Sequence, residues 1–462
     1  MAHFPLIAMG RMKHRIISKG SPLVWLCVFL PLTRSENVAS ANGIYGNGIG
    51  ADAMSMGGAE VAWAADPLSA MTANPAGLGF LSKPEMDLGA EGAVLEGNFT
   101  KAGSGGSLNS SLNALPEGAF AYPLKQIPVT FGISVAPQSA LLANWHYNDP
   151  PGGLGGDVTY GYQQDKSEIL LLRSALGVGW QINSKLSIGA SAGLLYNENE
   201  LVAPYIFQDV QSPTVSNPAN GAKTLLNLRT TGFGGDATVG ILFRATTNLQ
   251  FGAFYQSESI INSTGNASGN AYAQFPPAAA GTYAFNYDAE VKNKFPQNAS
   301  AGVSWGFLPK FRVSAQVDWI DWAHAFDTLH IGLSNGSNAG VNGVLGSSFR
   351  DNVPLNWSSE FVYRVGLEYD VTENLSLRLG YSYGSSPVPD ATLTPLTAAI
   401  TEHTITAGAG YHWGRYKVEI AYQYYLPATQ NVGQSGLLSG EYSNSSTTMS
   451  AHVVALTTGF TF

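Results

Sequence analysis

The sequence predicts an all-β fold, a 14-stranded antiparallel transmembrane β-barrel. Apolar residues alternate with small or polar ones along many segments, as they do when the two faces of a strand meet different surroundings. Tight turns alternate with long connections rich in Gly, Ser, Asn and Pro. The composition combines 53 Gly with 21 Tyr, 21 Phe and 9 Trp, which suits a barrel with aromatic girdles. A secreted soluble β protein has a similar composition and is the alternative class.

Residues 1–41 are predicted to be a secretory signal peptide. Basic residues between Arg11 and Lys19 precede the apolar run 22–32, and Ala39-Ser40-Ala41 supplies a cleavage site of small residues. The apolar run is only about half of the ~20 residues that a membrane-spanning helix needs. The alternative is a buried N-terminal helix. Cys27, the only cysteine, lies in this segment, so the mature chain is expected to have no disulfide.

Residues 42–82 do not alternate, and two interpretations of them are open. They could fill the barrel lumen as a plug, or they could form a disordered periplasmic tail. Met54, Val61, Trp63 and Leu68 favour the plug, because disordered segments contain few apolar residues.

Residues 83–462 carry the alternation that predicts the barrel wall. In the last strand Val454, Leu456 and Phe462 share one face, and small or polar residues share the other. A plain count of such segments gives fifteen strands. If 283–307 is one strand interrupted at Pro296, which cannot donate to the ladder, the count is fourteen. An even count leaves both ends of the barrel on the side of the tight turns.

Charge and motifs exclude several classes of protein. The chain has 23 Lys+Arg against 32 Asp+Glu, so no nucleic-acid partner is expected. The pattern Gly-x-Ser-x-Gly occurs at 189–193 and 332–336, but neither copy has the strand–turn–helix setting of a catalytic serine. Histidines are scattered and no cysteine ligand set exists, so no metal, cofactor or enzyme activity is predicted.

Three stretches of the mature chain carry a resemblance to a known family. They are Gly48–Leu78 with its Asn-Pro-Ala element, Phe295–Trp322 with Asp-Trp-Ile-Asp-Trp, and Leu377–Tyr411 with Pro-Val-Pro-Asp. In this order they resemble the outer-membrane long-chain fatty acid and aromatic hydrocarbon transporter family (FadL/TodX-like). The resemblance implies a hatch at 42–82 inside a fourteen-stranded barrel at 83–462, in a Gram-negative type of outer membrane.

The resemblance also implies a function and partners. A hydrophobic substrate, preferably a long-chain fatty acid, is captured among outer loops and passes to a lumen pocket. It then diffuses passively through a lateral gap beside a kinked third strand. Neutral aromatic or alkane hydrocarbons are the alternative substrates, and a general diffusion porin is the alternative outside the family. Expected partners are outer-membrane lipid, lipopolysaccharide and, through Phe462, the outer-membrane assembly machinery. A monomer is expected.

Candidate site residues follow from this scheme. Gly132 of the third strand faces the lumen and would permit a kink. Arg378 is a candidate partner for a fatty acid carboxylate, although it could instead pair with a lumen glutamate. The candidates for capture, which could alternatively pack the loops or the outer girdle, are Leu141, Leu142, Trp145, Tyr147, Tyr205, Ile206 and Phe207. The candidates for gating in the hatch are Asn74, Pro75 and Ala76.

Overall fold

A computed structural model describes residues 43–272 and 282–462 of the chain. The signal peptide predicted at 1–41 lies outside the described residues. The helices that are described are short: α1 (Ala51–Ser55), α2 (Pro67–Thr72), α3 (Trp322–Ala325) and α4 (Ala339–Val344), with 3₁₀ turns at Pro75–Phe80, Pro395–Thr397 and Leu438–Gly440. Among them, none is long and apolar enough to cross a membrane.

The strand segments of the described residues join in one hydrogen-bonded sheet. Their bounds are β1 (Glu85–Lys101), β2 (Ser104–Ser107), β3 (Asn113–Pro123), β4 (Val129–Asn148), β5 (Tyr162–Gln181), β6 (Leu186–Ile206), β7 (Val210–Gln211), β8 (Lys223–Arg244), β9 (Leu249–Gln256), β10 (Ser259–Tyr272), β11 (Thr282–Phe295), β12 (Asn298–Leu308), β13 (Phe311–Ile320), β14 (Thr328–Ser334), β15 (Phe349–Pro354), β16 (Glu360–Asp370), β17 (Leu375–Gly384), β18 (His403–Trp413), β19 (Tyr416–Val432) and β20 (Ser445–Thr461).

Among the described residues, fourteen antiparallel strands close the barrel, which confirms the predicted barrel. β9 and β10 are two parts of one barrel strand, because both pair with β8. β11 and β12 are likewise one strand, interrupted at Pro296 and Gln297 as the sequence predicted. The short segments β2, β7, β14 and β15 are additions at the end with the long loops. β1 pairs with β20 from Glu85–Thr461 to Thr100–Ser446, so the barrel has no open edge there.

The two faces of the wall follow the alternation in the sequence. Leu379 and Leu456 on the outer face are 60% and 50% exposed, whereas the charged Arg378 and Glu419 on the inner face are buried. The outer face therefore carries the apolar band that lipid requires. Other large apolar side chains exposed on this face are Phe131, Leu176, Leu194, Phe233, Ile241, Phe251, Phe361 and Ile420.

Three connections that the sequence pattern predicts as long loops, near 138–166, 200–222 and 259–282, are in part strands. β4 continues to Asn148, β6 to Ile206, and residues 259–272 form β10. The alternation fades in these parts because the strands extend beyond the apolar band, where both faces meet polar surroundings. Backbone pairing continues there without the pattern that reveals it.

Candidate functional site

The N-terminal segment, defined as residues 43–82, packs against the inner face of the barrel wall. Its short helices begin at capping side chains: Asp66 accepts a hydrogen bond from the Ser69 N–H (2.8 Å), and Asn74 accepts one from the Ala76 N–H (3.1 Å). Leu68, Met71 and Leu78 form an apolar cluster with alanines of β3 and β5.

The candidate gating residues Asn74, Pro75 and Ala76 lie at the contact between this segment and the wall. The Asn74 amide donates to the Val61 carbonyl (2.8 Å) and to the Ile241 carbonyl of β8 (3.1 Å). The Ser187 hydroxyl of β6 donates to the Ala76 carbonyl (2.7 Å). Because Asn74 is fully buried, these bonds satisfy its amide while they join the segment to the wall.

Glycines line the wall where the N-terminal segment touches it. A methyl group added at Gly132 would lie 2.6 Å from the Met71 sulfur, and one at Gly366 would lie 2.6 Å from the Met56 carbonyl oxygen. The same crowding by atoms of the segment occurs on nine barrel strands. The glycines concerned, here called the glycine ring, are Gly132, Gly177, Gly179, Gly189, Gly240, Gly252, Gly302, Gly366, Gly380 and Gly408.

Charged pairs join the segment to the wall near the tight turns. Arg378 forms ion pairs with Asp52 of α1 (2.8 Å), with Glu368 (2.7 Å) and with Glu419 (3.2 Å). The structure therefore places Arg378 in an ion cluster, where three carboxylates already surround its charge. Burial raises the pKa of the Asp52 carboxyl to about 6, with Arg378 acting in the opposite direction.

A second ion pair joins Asp66 to Lys417 of β19 (3.0 Å). Burial raises the pKa of Asp66, but the Lys417 ammonium and the Ser69 N–H lower it more, so the net pKa lies below its ordinary value. The Asp66 carboxylate is therefore held in its charged form at neutral pH.

An apolar pocket of about 170 Å³ lies toward the long loops and contains part of the predicted capture site. Leu141 of β4 lines it together with Tyr205 and Ile206. Sequence reasoning missed most of its other apolar lining, which includes Ile169, Leu201, Leu228, Val291, Phe326, Leu329, Leu355, Trp357, Leu396 and Leu437. These residues come from distant strands and loops, so no local pattern unites them.

The remaining capture candidates lie outside this pocket. The Trp145 indole N–H donates to the Pro395 carbonyl (3.0 Å), and the Tyr147 ring packs on Phe99 with centroids 4.8 Å apart. Phe207 packs within an outer apolar cluster. Leu142 lines a separate narrow cavity of about 20 Å³. Trp145, Tyr147 and Phe207 thus pack the loops, which was the alternative interpretation.

The third barrel strand, β4, separates from its neighbour β3 halfway along its length. β3 pairs with β4 only as far as Val135, and the pairing of β4 with β5 becomes irregular between Pro137 and Ser139. Beyond this point the Ala140 N–H donates to the Ile44 carbonyl of the N-terminal segment (3.1 Å). Gly132 lies in the paired part of β4, and the irregularity begins at Pro137, five residues further along.

Three cavities follow β4 toward this separation. Leu141 lines both the apolar pocket and the narrow cavity, and Ala140 lines both the narrow cavity and a third cavity of about 150 Å³. This third cavity, here called the polar chamber, also contacts Pro137, Gln138 and Ser139. The arrangement is a chain of spaces that runs from the outer loops to the place where β3 and β4 part.

A closed barrel with an apolar outer band, a packed lumen and an apolar pocket defines a transport channel for hydrophobic compounds in the outer membrane. The chain belongs to the outer membrane protein transport protein family (OMPP1/FadL/TodX), whose model matches residues 34–462. This membership confirms the predicted resemblance, the location and the assignment to transport channels rather than enzymes.

Solved structures with the same fold include three bacterial outer-membrane proteins. The toluene transporter TodX of P. putida is 18% identical with a TM-score of 0.69, and a FadL homologue of Pseudomonas aeruginosa is 15% identical with a TM-score of 0.69. The toluene transporter TbuX of Ralstonia pickettii is 19% identical with a TM-score of 0.67. Each alignment covers 90% of this chain and 99% of the other. No curated protein matches the chain.

Proposed function

We propose that this protein admits small neutral hydrophobic compounds by passive diffusion along β4, with residues 42–82 as a hatch that closes the lumen. The observation that carries the proposal is the chain of three cavities from the apolar pocket to the separation of β3 and β4. A lateral exit suits such a substrate, because exposing its apolar surface to the water of an open pore is unfavourable in free energy.

The charges of the lumen favour a neutral substrate. Each buried arginine of the described wall has an acidic partner: Arg173 pairs with Asp236 (2.9 Å), Arg312 with Glu368 (3.0 Å) and Arg364 with Asp318 (2.5 Å). Arg378 pairs with three carboxylates. An anionic substrate would have to compete with these carboxylates for each guanidinium.

The volume of the apolar pocket favours a small substrate. A dry cavity of about 150 Å³ lined by Leu, Ile and Phe holds benzene in another protein, and the pocket here measures about 170 Å³. A single aromatic ring therefore fits the pocket alone. The two toluene transporters among the solved structures share this fold, and monoaromatic hydrocarbons are the substrates proposed first.

A long-chain fatty acid, the substrate preferred from the sequence, is the second candidate. Lys292 and Lys294 of β11 are among the lining residues of the apolar pocket, and neither has an ion-pair partner among the described residues. Their neighbours Val291 and Asn293 are buried, so the lysines lie on the opposite face of β11. A fatty acid carboxylate would therefore have to be held at the outer rim of the pocket by these two ammonium groups, with its acyl chain extending along β4.

Uptake in proteoliposomes tests both proposals. Ala140→Phe from β4 and Ala399→Phe from the facing loop should each narrow the cavity of about 20 Å³ and lower toluene uptake at least tenfold by blocking the passage. Ala192→Phe, on the exposed outer face of β6, is the matched control and should leave uptake unchanged. Normal uptake by both blocked variants would contradict the path along β4.

The two substrates are separated by a second variant. Replacement of Lys292 and Lys294 together by glutamine should leave toluene uptake unchanged and lower oleate uptake only if the fatty acid proposal is correct. Toluene uptake no faster than in empty vesicles would overturn the first proposal.

A further inference from the structure

The polar chamber differs from the apolar pocket in the chemistry of its lining. It lies between the N-terminal segment and the wall, beside Pro137, Gln138 and Ser139 of the part of β4 that has no partner in β3. Tyr45 and Glu60 of the segment and Glu91 of β1 contribute polar groups to it. A hydrophobic substrate that moves along β4 therefore meets polar side chains just before the separation of β3 and β4.

Three residues of the chamber have buried side-chain oxygens that lack a hydrogen-bond partner among the described residues. They are Glu60, both of whose carboxyl oxygens are unpartnered, Ser139, whose hydroxyl is unpartnered, and Gln138, whose amide oxygen is unpartnered. Glu60 is 1% exposed and Ser139 is 3% exposed. Buried polar groups in proteins almost always have a partner, so a cavity lined by such groups is suited to a ligand that supplies one.

The surrounding charges define which polar group fits. Asp318 lines the chamber as an ion pair with Arg364 (2.5 Å), whereas Glu60 and Glu91 have no cationic partner among the described residues. An anion is therefore disfavoured, because the one arginine among the lining residues, Arg364, is already paired with Asp318 and no free cation would offset the loss of the anion's hydration. Burial raises the pKa of Glu60 well above its ordinary value, which favours the protonated form that both donates and accepts hydrogen bonds.

We propose that the polar chamber binds the hydroxyl group of a substrate that is otherwise apolar, such as an alkylphenol, with Glu60 as its principal partner. Such a molecule has a ring for the apolar pocket and one group that both donates and accepts a hydrogen bond. The chamber would thereby favour hydroxylated compounds over the parent hydrocarbon and over the corresponding acid. The inference rests on the proposed function only because the chamber lies on the proposed path.

Equilibrium binding of three probes of similar size to the purified mature protein tests this proposal. 4-Ethylphenol should bind about tenfold more tightly than ethylbenzene, the factor that one net hydrogen bond supplies, and more tightly than 4-ethylbenzoate. Glu60→Leu should abolish this preference without weakening ethylbenzene binding, whereas Glu60→Gln, which keeps a donor and an acceptor, should retain most of it.

Ser139→Ala provides a second variant that does not alter charge. It should reduce the preference for 4-ethylphenol, and Ser382→Ala, which removes another buried unpartnered hydroxyl outside the chamber, should not. Equal binding of 4-ethylphenol and ethylbenzene, stronger binding of 4-ethylbenzoate, or a proportional loss for all probes in Glu60→Leu would overturn the proposal. The first of these results would mean that the chamber accepts water only.

The binding measurements also separate this proposal from the proposed function. If vesicles fail to take up ethylbenzene while the purified protein still prefers 4-ethylphenol, the transport proposal fails and the hydroxyl site stands. If uptake proceeds but Glu60→Leu leaves the preference unchanged, the hydroxyl site fails and the transport proposal stands.

Discussion

Replacement of Gly240 in β8 by alanine should displace the N-terminal segment from the barrel wall. The added methyl group would lie 3.0 Å from the Asn74 side-chain carbon and would overlap its amide oxygen. At Gly189 in β6, the methyl group would lie 2.5 Å from the Ala76 nitrogen and overlap the Pro75 carbonyl. Both positions are in strand interiors that accept alanine, so the strain falls on the segment.

The magnitude follows from the overlap. Ordinary contacts begin at 3.4 Å, and at Gly189 the methyl group would lie 2.5 Å from the Ala76 nitrogen and closer still to the Pro75 carbonyl, so the segment must move by more than 0.9 Å. Overpacking of this kind costs about 1–3 kcal/mol. If the whole of this free energy destabilises the docked state, the ratio of displaced to docked segment rises roughly 5- to 150-fold.

Single-channel recording in planar bilayers measures this change. The parent protein should show little steady conductance, and Gly240→Ala and Gly189→Ala should open more often and for longer, because ions pass where the segment has left the wall. Gly235→Ala in the same strand is the matched control, since its methyl group would meet only the Gly193 carbonyl oxygen, at 3.4 Å. Heat-dependent migration in gels checks that every barrel is folded.

Two results would refute this reasoning. Large steady conductance in the parent protein would support the general diffusion porin instead of a hatch. Equal conductance of Gly240→Ala and Gly235→Ala, with both barrels folded, would show that the contacts at the glycine ring do not keep the lumen closed.

Three further predictions concern the Asp66–Lys417 ion pair, its pH dependence and the apolar pocket. Lys417→Met leaves Asp66 without its buried partner and should weaken docking of the segment by about 3–5 kcal/mol, seen as faster proteolysis of the segment, whereas Arg415→Met in the adjacent exposed turn should not. Because the pKa of Asp66 is lowered, its ion pair stabilises docking above the ordinary value of 3.8 and is lost as pH falls through the lower folded value, so protection should persist at pH 5 and fail only below 3.8. Leu141→Glu places a charge in the apolar pocket and should lower toluene binding at least tenfold by calorimetry, whereas Ser446→Glu, outside the pocket, should not.

The closed barrel could be predicted because lipid imposes a periodic requirement on the sequence. Every wall strand needs an apolar outer face, and residues such as Leu379 and Leu456 repeat at a spacing of two. The sequence pattern predicts a loop where β10 lies, because Asn262, Asn266 and Asn270 occupy the outer-face positions at which apolar residues would indicate a strand. Beyond the lipid the requirement ends, although the hydrogen bonds of the strand continue.

The site could be predicted only in part from the sequence. Its residues come together in the folded barrel, but they share no local sequence pattern. Leu141 and Trp145 lie four residues apart in β4, yet one lines the apolar pocket and the other packs beneath Pro395. Both are apolar residues in a polar region of the sequence. Their local pattern is the same, so it does not distinguish the residue that lines the pocket from the one that packs a loop. Pro137 did offer a signal, since the argument that placed a break at Pro296 applies equally to a proline inside β4.

The abundance of glycine in the wall and the missing alternation in residues 42–82 are two aspects of one arrangement. Glycines of adjacent strands lie side by side in the sheet, as Gly132 does with Gly177 and Gly189 with Gly240, so they form a smooth band along part of the inner face. Against this band the backbone of the segment approaches closely enough for Asn74 to reach the carbonyl of Ile241. A wall of larger residues would fill that space itself, and the short helices of the segment, too short to be stable alone, would lose the surface on which they fold. The glycine ring therefore specifies both the place of the segment and its conformation, and movement of the segment must begin by breaking these close contacts.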